Sequence, residues 1–245
     1  MTEIARVWAD LPWWGWAVAV AAALVAGLAK TAIGNLALLT AVVFAQLLPT
    51  KDSTGVVLLL FLTGDLVAVW VYRRSVDWRL IGRLIVPVAV GIGLGAFFLE
   101  AVSDTVLKKT IGAITLVLLV LGFWPDKLSA RRRPVAHAYG GLSGFTTMVA
   151  NMGGPAMSLY LLAARFDKLK FLGTTAWFFF AVNSVKVPVS IRLGIVRWEM
   201  LPLAFALAPA VLIGTWMGRI VVQRLDQKTF ERLVLAFVAV SAVYL

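Results

Sequence analysis

Long uncharged runs separated by short basic segments dominate the chain. The runs 84–99, 110–125, 202–218 and 233–245 contain no charged residue, and the runs 53–72 and 171–191 contain one each. A helix needs about 20 mostly apolar residues to cross a bilayer. The pattern therefore predicts an all-α polytopic membrane protein with spans over about 53–72, 80–101, 106–124, 171–191, 199–220 and 229–245.

Two further apolar stretches, 11–50 and 134–164, are interrupted by polar and glycine-rich segments. The first contains Lys-Thr-Ala-Ile-Gly-Asn at 30–35, and the second contains Asn-Met-Gly-Gly-Pro at 151–155. Glycine allows unusual backbone angles, and proline starts helices because it has no N–H to donate. Each stretch is predicted to be a broken helical pair. Non-helical backbone at membrane depth must be buried in protein or line a cavity.

The two halves of the sequence match at an offset of about 120 residues. The matches pair Gly34-Asn35 with Gly153-Gly154, Thr54 with Thr174, 76–78 with 196–198, and Gly91 and Gly95 with Gly214 and Gly218. We predict a first repeat over 1–125, a linker over 126–133 and a second repeat over 134–245. Each repeat holds one broken pair and three spans. The glycines spaced four apart are typical of close helix packing.

The distribution of Lys and Arg predicts how the chain is oriented. If each broken pair returns to the side that it came from, fifteen of the 23 cations fall on one side and six on the other. If each pair crosses once, the split becomes eleven to ten. Because cytoplasmic loops are enriched in Lys and Arg, the biased topology is preferred. Both termini are then outside, and the two repeats are inverted, as in many transporters.

Composition excludes several other classes of protein. Hydrophobic residues make up 61% of the chain and charged residues 14%, so a soluble globule and a disordered chain are excluded. The net charge of +11 lies in the short gaps between apolar runs, which indicates topology signals and not nucleic-acid binding. With His137 as the one histidine and no cysteine, we expect no metal site, cofactor or nucleophile–base pair.

Lys30 is the first candidate binding residue, because a cation within a membrane span is costly. It lies beside Thr31 and just before Gly34 and Asn35, where the next helix would direct its N-terminal N–H groups to the same place. A lysine with a helix N-terminus forms an anion site. The alternative is that Lys30 extends to the outer interface.

The second group of candidates lies in the second half. Lys186 falls within a predicted span, Asn183 lies one turn earlier on the same helical face, and Pro188 follows. For Lys186, too, extension to the interface is the alternative. The remaining predicted binding residues are at the second break and along the same span: Asn151, Gly153, Gly154, Thr174, Thr175 and Trp177.

Asp65 is the only acid within its span. At an offset of 120 it corresponds to Val185, next to Lys186. We expect Asp65 to pair with Lys186 or Lys30, or to carry a coupling proton. A buried carboxylate that loses its partner is expected to take up a proton.

In its order of motifs, the whole chain resembles the sulfite exporter TauE/SafE family of membrane permeases. The motifs are the two breaks, Gly-Thr-Thr at 173–175, Asn-x-x-Lys-x-Pro at 183–188 and Leu-Gly-(x)3-Trp at 193–198. The resemblance implies a multi-pass protein of the cytoplasmic membrane that transports sulfite, organosulfonates or other small anions. Which anion, which direction, which coupling ion and which oligomeric state stay open.

Two other functions compete with secondary transport. A passive anion channel would share the fold and would give voltage-dependent currents at unit rates far above those of a carrier. An intramembrane enzyme would need a nucleophile–base pair or a metal cluster, which the sequence does not offer.

Overall fold

The computed structural model describes residues 11–102, the single residues 106, 110 and 113, and residues 133–243. Of the predicted span 106–124, only the three single residues are described. The predicted linker 126–133 lies outside the described ranges except for Arg133. The described chain is helical, as the sequence predicts.

The helices of the first half surround one break. Helix α1 covers Trp13–Thr31, a short 3-10 turn covers Gly34–Leu36, and α2 covers Ala37–Leu47. Helices α3, Thr50–Tyr72, and α4, Trp78–Ala101, follow.

The second half has the same order. Helices α5, Arg133–Ala150, and α6, Gly153–Ala163, flank the second break. They are followed by α7, Lys168–Arg192, a 3-10 turn at Trp198–Met200, α8, Leu201–Arg224, and α9, Gln227–Val243.

Among the described residues, four helices are long and apolar enough to cross a membrane, namely α1, α3, α4 and α8 together with its preceding 3-10 turn. Helix α7 has 25 residues but is not among them, because polar residues such as Asn183 and Lys186 within it make it less apolar. These helices make the chain an all-α polytopic membrane protein.

At both breaks the chain doubles back on itself. The Thr40 hydroxyl donates to the carbonyl of Ala22 at 3.0 Å, which holds α2 antiparallel to α1. The Ser143 hydroxyl donates to the carbonyl of Gly153 at 2.9 Å across the second break. Helices α2 and α6 have 11 residues each, about 17 Å, and are too short to span a bilayer.

Close helix packing joins the two halves to each other. A Cβ on Gly214 would lie 2.0 Å from the Leu24 carbonyl oxygen, so α8 meets α1 backbone to backbone. A Cβ on Gly91 would lie 2.1 Å from the Gly141 carbonyl oxygen, so α4 meets α5 in the same way. Gly218 and Gly95 repeat these contacts one turn later, on Leu28 and Phe145. The role in close packing predicted for these glycines is therefore seen directly.

Candidate functional site

The two breaks meet at one cavity in the interior. A Cβ on Gly154 would lie 3.1 Å from the Asn35 side-chain oxygen, and the Ser158 hydroxyl donates to that same oxygen at 3.3 Å. The cavity and its open mouth together contain about 550 Å³ of space not filled by atoms. Its walls come from the first turns that follow both breaks and from α1, α3, α5 and α7.

An ion pair lies on one wall of the cavity. Lys30 Nζ is 2.8 Å from Asp65 Oδ1, and both side chains are buried. Asn183 Nδ2 donates to the other carboxylate oxygen, Oδ2, at 2.5 Å. The Lys30 ammonium also lies 4.5 Å from the ring centre of Phe61 and 5.4 Å from that of Phe179. Of the two partners that the sequence allows for Asp65, the structure therefore selects Lys30.

Asp65 and Asn183 occupy equivalent positions in α3 and α7. A Cβ on Gly55 would lie 2.0 Å from the Ile195 carbonyl oxygen, and a Cβ on Gly173 would lie 2.3 Å from that of Ser75. These matched contacts set the offset between the two helices at 118 residues, which is also the separation of Asp65 and Asn183.

The sequence-based equivalence of Asp65 with Val185 is therefore wrong. The reason is that the loops that follow the two helices are offset by 120 residues and the helices themselves by 118. Val185 is 52% exposed and points away from the cavity.

The second buried cation, Lys186, lies behind the cavity wall. Its side chain is 1% exposed. Its ammonium donates to the carbonyl of Thr147 and, at 2.5 Å, to Asn151 Oδ1. Asn151 in turn donates to the carbonyl of Thr54 at 3.3 Å. Both acceptors of Lys186 line the cavity, so its charge acts on the site through them.

The structure brings eight of the thirteen predicted site residues to the cavity surface. These are Lys30, Gly34, Asn35, Asp65, Asn151, Gly154, Thr175 and Asn183. The Thr175 hydroxyl is buried and has no hydrogen-bond partner among the described residues.

The other five predicted residues do not line the cavity surface. The Thr31 hydroxyl donates to the carbonyl of Thr215 at 2.7 Å, and the Gly153 carbonyl accepts from Ser143. Thr174 accepts from the backbone N–H of Asp77 at 3.0 Å. The Trp177 ring lies 4.8 Å from that of Trp78. Lys186 is the fifth residue of this group.

Sequence analysis missed the aromatic walls. Phe61 and Phe179 each lie one helical turn before the polar residue of their helix and are themselves 118 residues apart. An alignment of α3 with α7 at the correct offset would have found them.

The N-terminal turns at both breaks face the cavity without side-chain caps. Leu36 and Met152 precede α2 and α6, and neither makes a side-chain cap to the helix that follows. Gly34, Ala37 and Gly154 of these turns line the cavity. The N–H groups of Leu36 and Ala37 donate to backbone carbonyls, so it is the positive end of each helix dipole that favours a negative ligand. No cluster of His, Cys, Asp and Glu that could hold a metal is found within the described ranges.

Comparison with known proteins gives one match. The family model described as Sulfite exporter TauE/SafE matches residues 19–245. No curated protein and no solved structure matches the chain.

Proposed function

From the chain's membership of the sulfite exporter TauE/SafE family, we propose that it is a secondary transporter of small anions, with sulfite or an organosulfonate as substrate. The substrate binds between the two breaks, and the site opens to each side of the membrane in turn. The observation that carries the proposal is the cavity in which Lys30 and two uncapped helix N-termini converge.

The charges around the cavity favour one bound negative charge. Lys30 and Lys186 contribute two cations and Asp65 one anion, so the fully ionised cluster has a net charge of +1. A buried uncompensated charge is costly. A monovalent anion in the cavity would neutralise the cluster, whereas a cationic substrate would add to the repulsion.

The groups that would hold the anion are hydrogen-bond donors of different kinds. The Thr175 hydroxyl is free to donate, and the Lys30 ammonium is already at the cavity surface. The helix N-termini at Gly34 and Gly154 add the positive ends of two helix dipoles. Such a set suits the tetrahedral or pyramidal oxygens of a sulfonate or sulfite.

Proton coupling follows from the ion pair. An anion that binds Lys30 competes with Asp65 for the ammonium. Asp65 then loses its opposite charge in a site of low dielectric constant and takes up a proton. Proton and anion would move together, with Asn183 holding the second carboxylate oxygen throughout.

Orientation and location complete the proposal. The chain lies in the cytoplasmic membrane with both termini outside, and the halves 1–125 and 134–245 are inverted repeats. A reporter enzyme that works only outside the cytoplasm should be active when it is fused after Leu245. A fusion active only in the cytoplasm would overturn this topology.

Transport by purified protein in liposomes tests the function. Wild-type protein should take up labelled sulfite or a short sulfonate in a saturable way and should show counterflow, in which unlabelled anion inside accelerates uptake. Lys30→Met should lose uptake, whereas Lys228→Met, which removes an exposed cation, should retain it. Absence of uptake for every anion tested would reject the proposal. Large single-channel currents without counterflow would indicate a channel.

A further inference from the structure

The ammonium of Lys186 lies at the C-terminal end of α5, at the second break, where it donates to two oxygen acceptors. One acceptor, the carbonyl of Thr147, is three residues before α5 ends at Ala150. The other is the side-chain oxygen of Asn151, whose φ of 57° marks the point at which the chain leaves the helix. No carboxylate lies within ion-pair distance of Lys186 in the described part of the chain.

This environment is one that binds small cations. Carbonyl groups at a helix C-terminus carry partial negative charge. In transporters with broken helices, unwound carbonyls and half-helix C-termini hold the coupling cation. We propose that the Lys186 ammonium is a built-in substitute for such a cation and permanently occupies a monovalent cation site formed by Thr147 and Asn151. This rests on the proposed transport function.

Wild-type protein gives the first test. If Lys186 supplies the cation, sulfite uptake into liposomes should be the same in sodium, in potassium and in N-methylglucamine as the only added cation. Uptake that stops when sodium and potassium are both removed would overturn the proposal. Absence of uptake in all three media would instead count against the transport function.

Two variants at the same position give a test that needs no transport. Lys186→Ala leaves a space beside the two oxygens, whereas Lys186→Met fills it with an uncharged chain of similar length. Methylammonium should raise the thermal unfolding temperature of the purified Lys186→Ala protein and leave that of Lys186→Met unchanged. If Lys186→Ala folds only when prepared in methylammonium, this also supports the site. Equal responses of both variants, or none, would overturn it.

A second and independent observation concerns two ion pairs at the ends of α3 and α7. Arg197 is 2.6 Å from Asp52 Oδ1, and Lys170 Nζ is 3.3 Å from Asp77 Oδ2. Burial alone would raise the pKa of Asp77, but hydrogen bonds from the N–H of Leu80 and from Lys170 outweigh it and hold that pKa below its usual value.

The two pairs are equivalent in position and opposite in sign. Asp52 and Lys170 are separated by the same 118 residues as Asp65 and Asn183. In the motifs at 76–78 and 196–198, Asp77 in one repeat corresponds to Arg197 in the other. The first half of the chain therefore contributes the acid to both pairs, and the second half contributes the base to both.

The pairs lie at opposite ends of the two helices. Gly55, near the start of α3, packs on Ile195 just after α7 ends, and Gly173, near the start of α7, packs on Ser75 just after α3 ends. Helices α3 and α7 are therefore antiparallel. The 23 residues of α3 place its ends about 35 Å apart.

Each pair is close to a residue of the cavity wall. Asn151 lines the cavity and donates to the carbonyl of Thr54, two residues after Asp52. Thr175 lines the cavity and follows Thr174, which accepts from the N–H of Asp77.

We infer that Asp52–Arg197 and Asp77–Lys170 are the two gates of the transport cycle, one at each mouth of the cavity. One gate opens while the other stays closed, and this inference rests on the alternating access proposed above. The basic partner of each pair is partly exposed, so separating the pair leaves a hydrated cation and costs little.

Cross-linking tests the gates, because the chain contains no other cysteine. Asp52→Cys with Arg197→Cys forms one double variant, and Asp77→Cys with Lys170→Cys forms the other. A short, cleavable bifunctional thiol reagent should stop anion uptake in either double variant, and cleaving the reagent should restore it. The four single-cysteine variants, treated identically, should transport as before treatment.

The outcomes separate the gates from the function itself. Undiminished transport with either pair cross-linked would show that the pair is a fixed clamp and would overturn its role as a gate. Absence of uptake in all untreated single variants and in wild-type protein would count against the transport function instead.

Discussion

Replacement of Asp65 by Asn measures what the central ion pair contributes to stability. The substitution keeps the size of the side chain but removes the charge 2.8 Å from Lys30 Nζ. The carboxylate that accepts a hydrogen bond from Asn183 also becomes an amide. The Asn183 amide must therefore turn, so that its NH2 group does not face the NH2 group of the new side chain. Lys30 is left buried without an opposite charge.

The magnitude follows from this burial. Removing one partner of a buried ion pair costs about 3–5 kcal/mol, because the remaining charge is uncompensated. Lys30→Met in the same chain removes that charge, so the double variant should recover part of the loss. We expect a coupling energy of about 2 kcal/mol between the two positions, as for contacting charged residues.

Equilibrium unfolding in mixed micelles measures the free energy of unfolding of wild type, both single variants and the double variant. Proton uptake during anion binding, measured with a pH indicator, is recorded for the same proteins. Asp65→Asn should be destabilised and should bind the anion with no proton uptake. If Asp65→Asn lowers the free energy of unfolding by less than about 1 kcal/mol, the pair is as weak as a surface ion pair and the argument from burial is refuted.

Three further changes test other parts of the structure. Thr175→Val removes an unpartnered buried hydroxyl, so it should weaken anion binding about tenfold, the loss of one hydrogen bond to a charged group, with stability unchanged or raised in thermal unfolding. Gly214→Ala places a methyl 2.0 Å from the Leu24 carbonyl oxygen and should destabilise the protein by about 1–3 kcal/mol or more, which unfolding in mixed micelles would reveal. Folding lowers the pKa of Asp77, so its contribution to stability is fully present above the unfolded pKa, about 3.9, and is lost as the pH falls through the lower folded pKa. Asp77→Asn should remove this loss of stability at low pH from pH-dependent unfolding curves. An unchanged curve would contradict the role given to the hydrogen bonds from Leu80 and Lys170.

Sequence reasoning predicted the elements of the fold because bilayer physics restricts them strongly. An uncharged run must form a helix in a membrane, because its backbone polar groups have no water to bond to. Gly-Asn and Gly-Gly-Pro segments interrupt helices through the backbone properties of their own residues. The helix ends at Thr31 and Ala150 follow from residues within a few positions of them. Such features need no knowledge of distant contacts.

The site was harder to predict, because side-chain direction depends on offsets of one or two residues. A helical residue two positions further along points to nearly the opposite face. The offset of 120 was right for the loops at 76–78 and 196–198 but wrong by two for the helices, so it matched Asp65 with Val185 and not with Asn183. Thr174 and Thr175 show the same sensitivity, since only the second lines the cavity.

The end pairs were missed for another reason. Comparison of the two halves looked for identical residues, whereas Asp52 and Lys170, like Asp77 and Arg197, differ in sign. A search for positions at which charge reverses between the halves would have found both.

The backbone contacts of α8 with α1 and of α4 with α5 also bear on how the protein is made. Each half supplies the surface on which the broken pair of the other half packs, through Gly214 in one case and Gly91 in the other. During synthesis, α1 enters the membrane long before its partner α8 exists. A newly inserted first half therefore has contacts to its break from α3, but it lacks the backbone contact on α1 until nearly the whole chain has followed.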